Sequence, residues 1–198
     1  MSLAAALIFG AALTMLIVSR RSAAESFPFV SVRLADGLSC EIYVPSNLDK
    51  TRNHSLVFGS SAVGIGHDVL VIWREAADRQ QWIVVGSNNF KNGPSDAKQH
   101  DLQLETLAMV LRDYPIDKTH VYAAGQSGGG MNAYGLLSEH PEIFRGVVIN
   151  TGMMPHHLLG NAPFDPARYP RNKLAVMLAS PKDFRYREMH EDRNLLEG

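Results

Sequence analysis

The segment His120-Val-Tyr-Ala-Ala-Gly125-Gln126-Ser127-Gly128-Gly129-Gly130 constrains this chain more than any other. An apolar, strand-forming run stops at Gly125, a serine stands at a corner crowded with glycine, and Met131-Asn-Ala-Tyr-Gly-Leu-Leu continues as a helix. A G-x-S-x-G sequence between a strand and a helix holds its serine on a sharp, strained turn with the hydroxyl at the top of a sheet. The glycines answer two needs: no Cβ where strand and helix approach closely, and tolerance of unusual backbone angles beside the serine. A plainer reading, a helix N-terminus that binds phosphate, also suits a Gly-rich serine. The strand before and the third glycine favour the corner, and they make Ser127 the candidate nucleophile.

From Phe29 onward, strand-like and helix-like pieces alternate. Residues 29–34 and 38–44 flank Ala35-Asp36-Gly37 and predict a β-hairpin. Further strands are predicted at 55–58, 82–86, 120–124, 146–150 and 174–179, and helices at 69–81, 102–111, 128–139 and about 185–197. The spacing predicts that the second of these helices buries positions 104, 107, 108 and 111, and the first Val69, Ile72 and Ala76. Strands without polar alternation, each separated by a helix, mean a mostly parallel sheet covered on both faces. The fold class is therefore α/β with an antiparallel N-terminal edge. No repeat, low-complexity stretch or linker divides the chain.

Its 198 residues, 45% hydrophobic and 20% charged, suffice for one domain with a sizeable core. A net charge of −1 and the lack of any Lys/Arg run exclude a nucleic-acid surface. Cys40 is the only cysteine, so no intramolecular disulfide is possible. It alternates with Leu38 and Ile42 and reads as a small core residue of a strand.

The N-terminus stands apart from the domain, which is expected over residues 25–198. Residues 3–18 form an apolar run followed by Arg20 and Arg21, and Ser22 and Ala24 suit a signal-peptidase site before Glu25. Residues 1–24 are expected to be a cleaved export signal, giving a secreted or periplasmic protein. The alternatives are an uncleaved membrane anchor, favoured by the arginines on the far flank of the run, and a buried helix. The run is short for a bilayer span, which needs about 20 residues.

In a parallel sheet, ligands bind at the carboxyl ends of the strands. After Phe58 comes the small-residue loop Gly59-Ser60-Ser61-Ala62-Val63-Gly64. Ser60 is the expected donor of one backbone N–H to an oxyanion hole, with Gly128, the residue after the nucleophile, giving the other; the bland alternative is a flexible connection. His67 and Asp68 read as structural, Asp68 as a helix N-cap. The loop from Ser87 to Pro94 either shapes access to the site or is a solvated turn. After Asn150, Met153 and Met154 are expected to offer an adaptable apolar wall to substrate. His156 and His157 are adjacent, have no acidic or cysteine cluster beside them, and are not expected to bind metal. After Ala179 comes Asp183, either the acid of a catalytic triad, whose chain order here is Ser, acid, His, or the N-cap of the next helix.

With those residues in view, the chain from Phe29 onward resembles the α/β-hydrolase superfamily. The stretch Val121–Met131 followed by Glu139-His-Pro-Glu-Ile-Phe-Arg-Gly-Val-Val148 is similar to the polyhydroxybutyrate depolymerase and feruloyl esterase group. The resemblance implies an exported serine esterase, with Ser127 as nucleophile and Asp183 as the acid. It implies no cofactor and no metal, and a small or polymeric ester as partner. Two departures stand out. Phe58-Gly59 replaces the His-Gly that the group often carries at the oxyanion strand. Members also continue into a further strand and a loop bearing the catalytic histidine, whereas this sequence ends at Gly198, so the domain is expected to be C-terminally incomplete, with a strand edge exposed. Of the histidines present, His156 and His157 lie nearest the expected face and are the candidates for a makeshift base. The competing expectation is a hydrolase-like binding or scaffold protein without catalysis.

Overall fold

In the computed structural model, which describes residues 27–93, 96–158, 165 and 172–197, seven strands form one sheet. The elements run β1 (Val30–Arg33), β2 (Ser39–Tyr43), β3 (His54–Ser60), α1 (Gly66–Gln80), β4 (Ile83–Ser87), α2 (Ala97–Asp113), β5 (Ile116–Gln126), α3 (Gly128–Glu139), β6 (Gly146–Asn150), a 3-10 turn (Pro155–Leu158), β7 (Leu174–Leu178) and α4 (Tyr186–Glu197). The strand order is β1-β2-β4-β3-β5-β6-β7. The β1–β2 and β2–β4 pairs are antiparallel and the remaining pairs are parallel. The expected α/β fold with an antiparallel N-terminal hairpin is the one observed. The candidate signal or anchor, residues 1–24, lies outside the described residues. No described helix is long and apolar enough to cross a membrane.

Side chains of the central strands alternate between two cores, as the period of two requires. Leu56 and Phe58 of β3 point into one core with Leu107 of α2 and Tyr134 of α3, while Val57 points into the other with Val69 and Leu70 of α1. Both faces of the sheet are thus covered, and the strands read as apolar runs. On β7, Leu174 and Leu178 remain about half exposed.

Two helix faces differ from their predicted ones. On α2 the buried positions are Leu102, Gln103, Thr106, Leu107, Met109 and Val110, and Ala108 is exposed. The face is turned because two polar side chains are satisfied inside: Thr106 Oγ1 donates to the Leu102 carbonyl at 2.7 Å, and Gln103 joins a side-chain network described below. A buried polar group that finds its partners carries little penalty. On α1 the buried stripe is Val69, Leu70 and Ala77, and Ile72 is exposed beside a cavity.

Cys40 is fully buried in β2, as its alternation predicts. Burial first, and the Glu41 carboxylate second, push its thiol up to about 12. It should resist iodoacetamide at pH 8 in the native protein and react fully in urea, since the thiolate is the nucleophile. Alkylation of the native protein at the unfolded rate would contradict this burial.

Candidate active site

The serine corner is built as its sequence predicts. β5 ends at Gln126, α3 begins at Gly128, and Ser127 between them has φ 54° and ψ −122°. A non-glycine residue pays for such angles in strain and holds them only where its surroundings over-determine them. Here the Ser127 N–H donates to the Asn150 carbonyl at the end of β6, 2.9 Å away. The Ser127 carbonyl accepts from the N–H groups of Gly130 and Met131 at 3.0 and 3.2 Å. The glycines are dictated by contact. A Cβ on Gly125 would lie 2.2 Å from the Gly129 backbone, and one on Gly129 would lie 2.0 Å from the Ser60 carbonyl oxygen.

Ser127 opens onto a cavity of about 330 Å³ at the carboxyl end of the sheet. Ser60 and Ser61 form one wall, and Asp68, Ile72 and Trp73 of α1 form another. Gly128 opens α3, so its N–H has no acceptor inside the helix and is available to a bound group. Ser60 closes β3 in register with Gly125, and Ser61 follows it. The positive end of the α3 dipole points to the same place.

A buried polar network fixes this wall. Ser60 Oγ donates to Gln103 Oε1 at 3.1 Å, and Asn132 Nδ2 lies 3.0 Å from Ser60 Oγ and 2.7 Å from Gln103 Oε1. The end of β3, the middle of α2 and the first turns of α3 are thereby held together. Gln103 and Asn132 escape sequence reading because each is one polar residue inside a helix, and only the packing shows that they meet. The loop after β4 is clamped to the site. The Asn92 N–H donates to the Ala62 carbonyl at 2.8 Å, Asn88 Oδ1 accepts the Gly66 N–H at 2.7 Å, and the Asn92 amide stands where a Cβ of Gly128 would be. The loop is thus pinned beside the site, with Lys91, Asn92 and Gly93 exposed and none of its described residues lining the cavity. Asp68 is not the N-cap of α1. Ile65 holds that position, and Asp68 lies in the first turn and lines the cavity.

Other expected residues stand elsewhere. Met153 and Met154 are not a wall of the cavity. Both are buried, and Met154 packs in the core with Tyr134 and Met189 because the chain after β6 turns under α4. Asp183 Oδ1 accepts the Arg185 N–H at 2.8 Å, a turn that leads into α4, and Asp183 does not line the cavity. His156 and His157 converge on Asp192 of α4. His157 Nε2 lies 2.7 Å from Asp192 Oδ1 and His156 Nε2 3.8 Å from the same oxygen, while Asp192 Oδ2 accepts the Met154 N–H at 2.7 Å. Asp192 is fully buried, and desolvation raises its pKa against the opposing pull of the Met154 N–H and His157. Burial, and then the neighbouring His157, lowers that of His156. This cluster ties the 3-10 turn to α4. Among the described residues, no histidine lines the Ser127 cavity.

A profile of the prolyl oligopeptidase family matches residues 87–185, half of the chain and the part that carries the serine corner. The chain belongs to the prolyl oligopeptidase family. The α/β-hydrolase relationship expected from the sequence is thereby shown. Among solved structures, a fluorophosphonate-binding serine hydrolase F of Staphylococcus aureus shares 11% identity at a TM-score of 0.63, over 93% of this chain and 86% of that one. S-formylglutathione hydrolase of the same organism shares 10% at 0.63, over 94% and 87%. A ferulic acid esterase shares 15% at 0.61, over 93% and 86%. At such identities the likeness is one of fold. No curated protein matches the sequence.

Proposed function

We propose that the chain is a serine hydrolase acting on carboxylic esters through an acyl-enzyme on Ser127. The observation that carries this reading is the Ser127 backbone, φ 54° and ψ −122°, held at the mouth of a cavity. Strain of this kind is kept where it aims a reacting group. Ser127 Oγ attacks the ester carbonyl carbon, and the carbonyl oxygen takes up negative charge facing the N–H of Gly128 and that of Ser60 or its neighbour Ser61. The alcohol leaves, and water releases the acid. The apolar side chains of Ile72 and Trp73 suit the non-reacting part of an ester, and Asp183 is proposed as the acid that would orient an imidazole. Residues 1–24 are proposed as an export signal.

A fluorophosphonate probe tests the proposal. Mass spectrometry should find one adduct, on the peptide that contains Ser127, and none in Ser127→Ala. The same substitution should abolish the slow release of p-nitrophenol from p-nitrophenyl acetate. That His156 and His157 are engaged by Asp192 rather than standing at Ser127 favours a second reading, a hydrolase-like protein that binds without chemistry. Wild-type protein that takes no adduct, and whose ester affinity is unchanged by Ser127→Ala, would establish that reading and end the first.

A further inference from the structure

We infer that His100, Glu139 and His140 form a binding site for a divalent transition cation of the zinc type, at the end of α3 remote from Ser127. His100 stands in the first turn of α2, Glu139 ends α3 and His140 caps it. His100 Nε2 lies 3.2 Å from His140 Nε2 and 3.4 Å from Glu139 Oε2. Two donors bound tetrahedrally to zinc at 2.0–2.1 Å lie about 3.3 Å apart, so His100 already stands at ligand spacing from both partners, and all three ligand atoms lie within 4.8 Å of one another. Residues 40 apart in sequence supply the two imidazoles, whose rings are 5.3 Å apart and tilted by only 24°.

Two further features favour a cation. The C-terminal end of a helix carries partial negative charge, and α3 has no basic residue in its last turn to answer it. The far nitrogen of His140, Nδ1, faces Glu142 Oε1 at 3.6 Å, and a carboxylate behind a ligating imidazole orients the ring and raises its basicity. His100 and His140 are half-buried and Glu139 is exposed, so the group is open to solvent and an ion can reach it. The other such group among the described residues, His156, His157 and Asp192, is similarly convergent but closed to solvent. There the Asp192 carboxylate is buried and already accepts at 2.7 Å from both His157 and the Met154 N–H. The twelve residues of α3 put the proposed ion about 18 Å from the serine, so its effect is to pin α2 to α3 rather than to join the chemistry.

Zinc chloride titrated into the full chain, by calorimetry and by thermal melting, decides the matter without reference to hydrolysis. One ion per chain should bind, and zinc should raise the melting temperature. Glu139→Gln should weaken binding by at least about tenfold, and His100→Gln with His140→Gln should abolish both binding and the thermal shift. Glu139 is a solvent-facing side chain, so its variant folds as the wild type does. Wild-type protein that binds no zinc at millimolar concentration, a folded Glu139→Gln that binds as tightly as wild type, or a double variant that still takes up one ion would each overturn the site.

Discussion

A Gly129→Ala variant should lose most of its folded population, while Gly135→Ala, six residues along the same helix, should be slightly stabilised. The methyl group at position 129 would stand 2.0 Å from the Ser60 carbonyl oxygen and 2.7 Å from its carbon. Both neighbours are backbone, so no rotamer change relieves the overlap. α3 would have to lift away from β3, breaking the Ser60–Gln103–Asn132 network as it moved. Costs above about 4 kcal/mol are exceptional for one substitution, and overpacking against backbone belongs to the short list of mechanisms that reach them. A Cβ on Gly135 meets nothing within 4 Å, and there the gain is the ordinary helix preference of alanine over glycine, about 0.5–1 kcal/mol. Urea unfolding of the two variants would show midpoints displaced in opposite directions. Equal midpoints would mean that α3 does not sit against β3 as described. Any Gly129→Ala protein that folds should also lose fluorophosphonate labelling, because the moved helix carries the Gly128 N–H with it.

Asp192→Ala should destabilise the fold by about 3 kcal/mol or more. The carboxylate is fully buried and answers two donors from another segment, the Met154 N–H and His157 Nε2, each at 2.7 Å. Removing it leaves both without an acceptor, and each orphaned buried group costs about 1–3 kcal/mol. The cavity left under α4 adds to that loss. In a domain of this size, about 3 kcal/mol lowers the melting temperature by roughly 6–12 °C. A double-mutant cycle with His157→Ala separates the pair from the rest, since the second substitution should cost far less once the first is made. Asp183→Ala is the control. Its carboxylate serves one N–H in a turn, and its loss should stay near the size of a helix cap, about 1 kcal/mol. If the two aspartates cost the same, Asp192 is not the clamp of α4.

How far the site could be read from the chain differs from residue to residue. Ser127, Gly125, Gly128 and Gly129 are consecutive or nearly so, and their roles follow from one strand, one turn and one helix. The strained angles at Ser127 are already implied by the glycines around it, because a close strand–helix approach leaves no other solution. Ser60 was expected in the loop after a strand at 55–58, and the structure extends that strand to include it. Asp192 was not legible, since a lone acid in a charged helix looks like surface until the 3-10 turn after β6 brings Met154 and His157 against it. For the same reason Met153 and Met154 read as a substrate wall: their place at a strand end is visible, while the direction in which the chain then turns is not.

The sequence by itself determined the α/β class, the antiparallel edge, the succession of strands and helices along the chain and the sharp serine corner at Ser127, because hydrophobic period and turn chemistry are local properties. Only the tertiary structure decided which faces of α1 and α2 are buried, that Gln103 and Asn132 brace Ser60 at the end of β3, that Asp68 lines the cavity, and that His156 and His157 belong to Asp192 rather than to Ser127. Each of these depends on partners distant in sequence. A polar side chain is admitted to the interior by the acceptor it finds there, and nothing in its own neighbourhood along the chain announces that acceptor.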